Sequence, residues 1–379
     1  MRSNAPVLTE MHAHVLRLIN QSGPLSRTEL GRELGVSKGS ISALAADLIE
    51  SGMLAEGEIV YGAGRPSIRL ELAASSTFFV GVSLASVPFV MRLTDLHGRV
   101  VGEATVASGG QPQDVAAAVA QALDQVLADH GGARERLAGI GVAIPGLVDP
   151  SSGACVRSTL LGWRDVPIGP MIAEATGFAT FVENDANALA LGQHLFGSLR
   201  GANACAVVSV GDGIGCGLIL GGELHRGARG GAGEIAHATI ELNGLPCKCG
   251  KRGCLDTLAS ARSIANAARN AGLPEGLAAL GDAADHGDQA AVAILHKAGE
   301  ALGLAVSQLI QALDPDHILI ALSDGPLDGS YAHVIRQTIN ANVMGSEAHP
   351  IDIAMMHLGP EAWAIGAASV AAGRGLFRI

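Results

Sequence analysis

Residues 230–256 decide how this chain is organised. They read Gly230-Gly-Ala-Gly-Glu234-Ile-Ala-His237, then a short polar loop, then Cys247-Lys-Cys249-Gly-Lys-Arg-Gly-Cys254-Leu-Asp256. Three thiolates and one imidazole form a complete tetrahedral ligand set for structural zinc. The glycines between the last two cysteines let the backbone curl, so that the three sulfur atoms can face one point. We therefore predict a Zn²⁺ ion held by His237, Cys247, Cys249 and Cys254, with Glu234 and Asp256 nearby as part of a polar ligand pocket.

A second interpretation is that these cysteines are ordinary buried small residues, since free cysteine is among the most buried residue types. However, three of the six cysteines fall within eight positions, among Gly, Lys and Arg, which is poor core composition. Disulfide bridges are rare in intracellular proteins. The spacing therefore favours metal binding.

The same stretch resembles the zinc signature of the ROK family, which comprises repressors and sugar kinases. The shared pattern is Gly-Glu-Ile-Ala-His followed by Cys-x-Cys-Gly-x-x-Gly-Cys-x-Asp. The resemblance implies an α/β, actin-like (ribonuclease-H-like) two-lobed sugar kinase fold. For the repressor branch it also implies an N-terminal winged helix-turn-helix domain that binds DNA.

Length and composition restrict the class of protein. The chain has 379 residues, enough for two or three domains, and its net charge of −11 argues against coating nucleic acid or an anionic membrane over a wide surface. Aromatic residues make up only 3%, so Ala, Val, Leu and Ile must fill the core. No stretch was expected to be long and apolar enough to span a bilayer, and the start lacks the apolar segment of a signal peptide. We expect a cytoplasmic protein with reduced thiols.

The first 72 residues have the pattern of a helix-turn-helix. An amphipathic helix ends at Gly23-Pro24, and Ser26 with Glu29 predicts the capping box of a second helix. After the turn at Gly35, Ser37 is expected to cap a third helix. This third helix would present short residues and one lysine to a DNA major groove, with Ser37, Lys38, Ser40 and Ser42 as the candidate contacts.

Two short apolar strands follow, joined by a Gly/Pro loop that contains Arg65. They predict a β-hairpin wing with Arg65 positioned to enter a minor groove. The alternative is a small helical interaction domain, because this segment carries seven Arg/Lys against eight Asp/Glu. The helix pattern and the wing together favour DNA binding.

The loop after the first strand of the kinase-like region departs from the kinase pattern. The resemblance implies an Asp and an Ile-Gly-Gly-Thr run here, whose amides would bind ATP phosphates. This chain has Ser83-Leu-Ala-Ser-Val-Pro88 instead. Proline lacks an amide hydrogen, and the carboxylate that would direct a metal ion is missing.

Two further loops depart in the same way. Asp212 replaces a neutral hydroxyl residue in Gly211-Asp-Gly213, where a carboxylate would repel phosphate. After a buried strand, Ala321-Leu-Ser-Asp324 stands where the resemblance implies three glycines that seat adenosine. We therefore expect no ATP binding.

The sugar side of the resemblance is retained. Asn184 and Asp185 follow a strand and open a helix. The resemblance implies that Asp185 would accept a proton from a sugar hydroxyl in a kinase and that Asn184 would bond a neighbouring hydroxyl, while a helix N-cap is the alternative role for the pair. The predicted ligand-binding residues are Asn184, Asp185, Glu234, His237 and Asp256.

The predicted organisation is a winged helix domain over 1–74, a first actin-like lobe over 75–190 plus 360–379, and a second lobe with the zinc site over 191–359. We expect a sugar-responsive DNA-binding regulator, most simply a repressor and not an enzyme, that acts on double-stranded operator DNA as a homodimer or homotetramer. The alternative is an active ATP-dependent sugar kinase with a fused DNA-binding domain. A ligand-independent repressor with a non-functional pocket is the third possibility.

Overall fold

The computed structural model describes residues 8–61, 66–345, 351–359 and 361–379. The chain divides into two compact units, Met1–Gly201 with Pro360–Ile379, and Ala202–Gly359. The predicted limits of the three domains stay predictions.

The N-terminal part of the first unit forms the three predicted helices and a small sheet. Its elements are α1 Glu10–Ser22, β1 Leu25–Ser26, α2 Arg27–Glu33, α3 Lys38–Glu50, β2 Leu54–Val60 and β3 Ser67–Leu72. The strands β2 and β3 pair antiparallel, as the wing prediction requires. The short strand β1 was not predicted, and it adds to the free edge of β3. The loop with Arg65 lies outside the described residues.

Side-chain caps explain why these helices begin where they do. The Ser26 hydroxyl accepts from the Glu29 amide, and the Glu29 carboxylate accepts from the Ser26 amide at 2.8 Å. Ser37 caps α3 by accepting from the Ser40 amide at 3.2 Å. Both predicted caps are thus confirmed. The core of this N-terminal part consists of buried apolar residues, among them Leu16, Leu30, Ile41, Leu48 and Leu70.

The rest of the first unit is built on a five-stranded sheet with the order β11-β7-β4-β5-β6. Its strands are β4 Phe78–Ser83, β5 Phe89–Thr94, β6 Val100–Val106, β7 Leu137–Ile144 and β11 Thr180–Asn184. The first three form an antiparallel meander, while β7 and β11 run parallel to β4. A second sheet contains β8 Leu147–Asp149, β9 Ala154–Ser158 and β10 Trp163–Val166.

Four helices accompany these sheets: α4 Pro112–Ala128, α5 Ile168–Thr176, α6 Asp185–Phe196 and α12 Glu361–Ala372. Helix α12 packs on the strands at two glycines, because a Cβ at Gly81 would lie 1.9 Å from the Ala364 carbonyl oxygen and one at Gly141 would lie 1.7 Å from that of Ala367. Only glycine permits this approach. Helix α12 therefore returns the end of the chain to the sheet of the first unit.

The second unit has its own five-stranded sheet with the order β14-β13-β12-β15-β16. The strands are β12 Ala204–Val210, β13 Ile214–Leu220, β14 Glu223–Leu224, β15 His317–Leu322 and β16 Asp352–His357. The helices are α7 Asp256–Ala259, α8 Ala261–Asn270, α9 Leu277–Asp285, α10 Gln289–Leu313 and α11 Ser330–Asn342. The alternation of strands and helices gives this unit the expected α/β layout.

Helix α10 corrects the expectation that no stretch is long and apolar enough to span a bilayer. Its 25 residues reach that length and composition. However, 56% of its most apolar window is buried inside the protein, where Leu295, Leu302, Val306 and Ile310 contribute to the core of the second unit. The helix is apolar because it packs against other elements on several sides, as a core helix does.

Candidate metal, ligand and DNA sites

The four predicted metal ligands lie together in the second unit. His237 closes a short 3₁₀ turn, Ile235–His237, and the loop with the three cysteines folds back through a hydrogen bond from the Cys247 amide to the Lys251 carbonyl at 2.8 Å. Gly250 and Gly253 both have positive φ, which allows the expected curl. The ligand atoms of His237, Cys247, Cys249 and Cys254 all lie within 4.8 Å of one another.

The spacing of these atoms fits a tetrahedral zinc ion. Ordinary Zn–S and Zn–N bond lengths place two sulfur ligands about 3.8 Å apart and a sulfur and a nitrogen ligand about 3.6 Å apart. Cys249 Sγ lies 3.6 Å from Cys254 Sγ, and Cys247 Sγ lies 3.6 Å from His237 Nδ1. The cluster could therefore hold a metal ion with little rearrangement.

The surroundings shift the pKa values of two of these thiols in opposite directions. Burial and, next, the neighbouring cysteines raise the pKa of the Cys254 thiol to about 12. A hydrogen bond from the Lys251 backbone lowers the pKa of the Cys249 thiol, which is exposed. Protein surroundings alone thus keep Cys254 protonated, whereas a bound divalent cation favours its thiolate, because coordinating thiols lose their protons.

Asp256 begins α7 directly after the metal loop. Its side chain is only 7% exposed, and its Oδ2 lies 3.4 Å from the Arg262 guanidinium and 3.9 Å from Lys248 Nζ. A Cβ at Gly213 would lie 3.4 Å from the other carboxylate oxygen. Asp256 is therefore adjacent to the Gly211–Gly213 loop, and two cations compensate its charge. Sequence reasoning did not identify either cation, because neither belongs to a recognisable pattern.

Glu234 is exposed and directly precedes the 3₁₀ turn, and its carbonyl accepts from the His237 amide at 3.1 Å. The segment after His237 returns to the metal loop, since the Leu255 amide donates to the Ala238 carbonyl at 2.9 Å. The second unit thus holds Glu234, His237 and Asp256 on connected segments around the metal cluster.

Asn184 and Asp185 lie in the first unit, where β11 passes into α6. Asn184 caps the helix by accepting from the Asn187 amide at 3.1 Å. Its side-chain amide donates to the Gly146 carbonyl at 3.0 Å and to Asp185 Oδ1 at 3.1 Å. The helix N-cap role is therefore confirmed, and the ligand role stays a prediction.

A buried carboxylate beneath this pair was missed. Glu183 is 2% exposed and accepts from the Asn184 backbone amide at 3.0 Å and from Asn187 Nδ2 at 3.1 Å. It fixes the Asn184 backbone before α6 and the Asn187 side chain in the first turn of α6. The sequence did carry one indication of this carboxylate: Glu183 is a charged residue within an apolar strand, and a charged residue is rarely buried without partners.

The three loops that the sequence predicts to depart from the kinase pattern follow strands β4, β12 and β15. Ser83 is buried and accepts from the Ala85 amide at 3.3 Å, so its hydroxyl stabilises its own loop. Asp212 is exposed in the turn between β12 and β13. After β15, Asp324 accepts from the Gly325 amide at 2.8 Å, and a Cβ at Gly325 would lie 2.6 Å from that of Leu277.

The predicted DNA-contacting residues of α3 are exposed on one stretch of helix. Ser37, Lys38, Ser40 and Ser42 are all exposed. The Ser37 and Ser40 hydroxyls lie 2.9 Å apart, and the Ser42 hydroxyl donates to the Lys38 carbonyl at 2.8 Å. These hydroxyls satisfy the backbone in the free protein and could still accept from or donate to a nucleic acid.

Comparison with known proteins places these features in context. The model of the ROK family matches residues 80–374, and the model of the MarR family matches residues 8–59. A putative xylose repressor from Caldicellulosiruptor sp. is 26% identical over 93% of this chain and 92% of its own length. A glucokinase from Halalkalibacterium halodurans is 31% identical over 77% of this chain and 94% of its own length.

One solved structure covers both parts of the chain. It is a ROK family transcriptional regulator, described as a homologue of the Escherichia coli MLC protein, with a TM-score of 0.79 and 26% identity over 97% of this chain and 96% of its own. The kinase-type relative leaves about a quarter of this chain unmatched, whereas the regulator matches it nearly end to end. The predicted fold class, a kinase-like α/β protein with an N-terminal winged helix, is confirmed.

Proposed function

Because the chain belongs to the ROK family and carries a winged helix at its N-terminus, we propose that it is a DNA-binding transcriptional regulator that responds to a sugar or a sugar derivative. The observation that carries this proposal is the exposed, serine-capped helix α3 at the start of a chain whose residues 80–374 match the ROK family. Repressor and regulator relatives that match this chain nearly end to end support it.

The state of the nucleotide loops supports a sensor and not an enzyme. Asp212 offers an exposed carboxylate where phosphate would bind. Leu277 packs against Gly325 in the segment after β15, and Pro326 packs against Gly329, so the protein's own side chains fill this region. In the first unit the Ser83–Pro88 loop offers no carboxylate for a metal ion. We propose that the chain does not use ATP.

The residues at which the sequence predicts sugar contacts are present in both units, which supports a ligand role. Asn184 and Asp185 stand at the N-terminus of α6, which favours a polar or anionic partner. Glu234, His237 and Asp256 surround the metal loop. We propose that these five residues bind the effector. Since relatives include a xylose repressor and a glucokinase, D-xylose and D-glucose are the first compounds to test.

We propose that His237, Cys247, Cys249 and Cys254 hold a structural Zn²⁺ ion. Four protein ligands leave no open coordination position, which is typical of a structural site and not of a catalytic one. The ion would fix the loop that carries Lys248 and leads into Asp256.

We also propose a homodimer or homotetramer in the cytoplasm, with double-stranded operator DNA as its partner. Winged helix and helix-turn-helix proteins read two half-sites as dimers, and operator symmetry follows protein symmetry. Arg65 and the four α3 residues named above would supply the DNA contacts.

The proposal is tested by measuring binding to duplexes that the protein selects from a randomised DNA pool, with and without D-xylose, D-glucose and other pentoses and hexoses. We expect specific binding that falls with salt and weakens or strengthens when one of the sugars is added. Absence of DNA binding by the pure zinc-loaded protein would refute the proposal.

The second candidate function is an active sugar kinase, which Asp185 and the glucokinase relative favour. A coupled phosphorylation assay over the same sugars, with Asp185→Asn as the control, separates the two. Turnover that the substitution abolishes would establish the kinase.

A further inference from the structure

Helix α6 joins the proposed ligand residues to the DNA-binding part of the same unit. It is 12 residues long and begins directly after its N-cap, Asn184. At 1.5 Å per residue its other end lies about 18 Å away. Its last residues, Leu195 and Phe196, pack in a core cluster that also contains Val15, Leu16 and Ile19 of α1. One rigid element therefore reaches from the ligand residues to the first helix of the winged domain.

A buried hydrogen bond fastens these two helices to each other. The Asn20 side chain is 3% exposed, and its Nδ2 donates to the Leu195 carbonyl at 2.8 Å. The last carbonyls of a helix have no partner within that helix, so Asn20 satisfies one that is buried. Breaking this contact is costly, because it leaves two buried polar groups unpaired.

Helix α12 supports the same end of α6. A Cβ at Gly192 would lie 3.1 Å from the Gly366 Cα, so the two helices touch backbone to backbone. After α12 the chain turns, the Phe377 ring lies 6.2 Å from that of Phe196, and Arg378 donates to the Leu8 carbonyl next to α1. Helices α6 and α12 thus meet α1 as one packed pair.

The other end of α1 contacts the proposed recognition helix. His12 is buried, and its Nε2 lies 3.5 Å from the Asp47 carboxylate on α3, while its Nδ1 accepts from the Thr9 amide at 3.1 Å. Helix α1 is thus hydrogen-bonded to α6 at Asn20 and contacts α3 at His12. It is the element through which a change in α6 could reach α3.

Ligand binding at Asn184 would disturb the residue that caps α6. Both hydrogens of its side-chain amide already have acceptors, Gly146 and Asp185, while its Oδ1 caps the helix. A ligand hydroxyl that accepts from Asn184 must replace one of these two acceptors.

We infer that Asn20 is the residue through which the state of Asn184 at the start of α6 is transmitted to α3. This inference rests on the proposed function, since it presumes that α3 binds DNA and that Asn184 meets the effector. It assigns Asn20 a positioning role: it contacts neither ligand nor DNA, and it couples two sites through one shared element.

The test is a double-mutant cycle on DNA affinity that needs no identified ligand. Dissociation constants for a selected duplex are measured by fluorescence anisotropy for the wild type, Asn184→Ala, Asn20→Leu and the double variant. We expect Asn184→Ala to change the dissociation constant by about five-fold or more, the lower range of allosteric coupling. In the Asn20→Leu background the same substitution should change it less than about two-fold.

Asp288→Ala is the matched control, because Asp288 caps α10 in the second unit by accepting from the Ala290 and Ala291 amides. It removes a helix cap in the other unit of the chain and should leave DNA affinity unchanged. An equal effect of Asn184→Ala in both Asn20 backgrounds would overturn the inference, and so would no effect in the wild-type background.

Amide hydrogen exchange keeps the inference testable if Asn20→Leu fails to fold or if the protein binds no DNA. In full-length Asn184→Ala, exchange should change over residues 12–20 relative to wild type, and in Asp288→Ala it should not. Unchanged exchange over 12–20 would overturn the inference. Failure to bind DNA with altered exchange in α1 would reject the proposed function and leave the coupling established.

Discussion

The metal cluster offers the sharpest test, because the chain contains a matched pair of buried cysteines. Cys254 is 0% exposed and belongs to the cluster, while Cys205 is 1% exposed in β12 and lies outside it. Replacing either one by alanine removes one buried sulfur, at a cost of about 1–2 kcal/mol. Only Cys254→Ala also removes a metal ligand. The difference between the two variants therefore isolates the contribution of the ion.

The size of that difference follows from linkage. With free Zn²⁺ a thousand times above its dissociation constant, the ion stabilises the folded state by about 4 kcal/mol. For a folding unit of this size, 1 kcal/mol corresponds to a change in Tm of about 2–4 °C. We expect Cys254→Ala to unfold about 8–16 °C below Cys205→Ala. It should also unfold about 2–8 °C below wild type in a chelator, because it lacks the buried sulfur as well as the ion.

The assay is differential scanning fluorimetry in buffered Zn²⁺, with metal content determined by mass spectrometry on the same samples. Wild type and Cys205→Ala should each carry about one zinc per chain, and Cys254→Ala none. If Cys254→Ala retained its zinc and unfolded together with Cys205→Ala, the assignment of the four ligands would be wrong.

Three further outcomes follow from the described contacts. Lys38→Ala should weaken binding to DNA of every sequence and lower the slope of log K against log salt by about one, as measured by anisotropy titrations. An unchanged slope would show that Lys38 does not contact a phosphate. Equilibrium dialysis with Mg²⁺ and ATP should detect no binding, because Asp212 repels phosphate; clear binding would favour the kinase. Hydrogen bonds from the Ser26 backbone and hydroxyl lower the pKa of the Glu29 carboxyl from its ordinary value of 4.5. The ionised Glu29 side chain therefore stabilises the folded state above pH 4.5, and this stabilisation is lost as the pH falls through the lower folded-state pKa. The difference in unfolding free energy between wild type and Glu29→Gln, measured in urea, should therefore shrink between pH 7 and pH 3, and a constant difference would contradict the capping box.

Local chemistry explains what the sequence could predict. The caps at Ser26 and Ser37 depend on residues three positions apart, and the metal ligands fall within eighteen positions. Such interactions depend on local backbone geometry, which the spacing of the residues along the chain already defines. The N-cap role of Asn184 belongs to the same class.

Contacts between distant segments were not predictable in the same way. Asn20 and Leu195 are 175 positions apart, and nothing in either segment names the other. Only one indication existed: Asn20 lies four positions after Leu16, on the buried face of an amphipathic helix, where a polar residue needs a partner. The identity of that partner depends on how α6 packs against α12, and the close approach of Gly192 and Gly366 sets this packing.

The caps and the interhelical contacts differ in how firmly they are fixed. Asn184 already uses both of its amide hydrogens, and Asn20 uses a carbonyl that has no other partner within its helix. Because the Asn20 contact is buried, breaking it would leave a buried polar group unpaired at a cost of about 1–3 kcal/mol, whereas Asn184 is only half-buried. If Asn184 binds the effector as proposed, a ligand that displaces one of its acceptors must supply a hydrogen bond of its own, and a hydroxyl acceptor of the kind that sugars carry would do so.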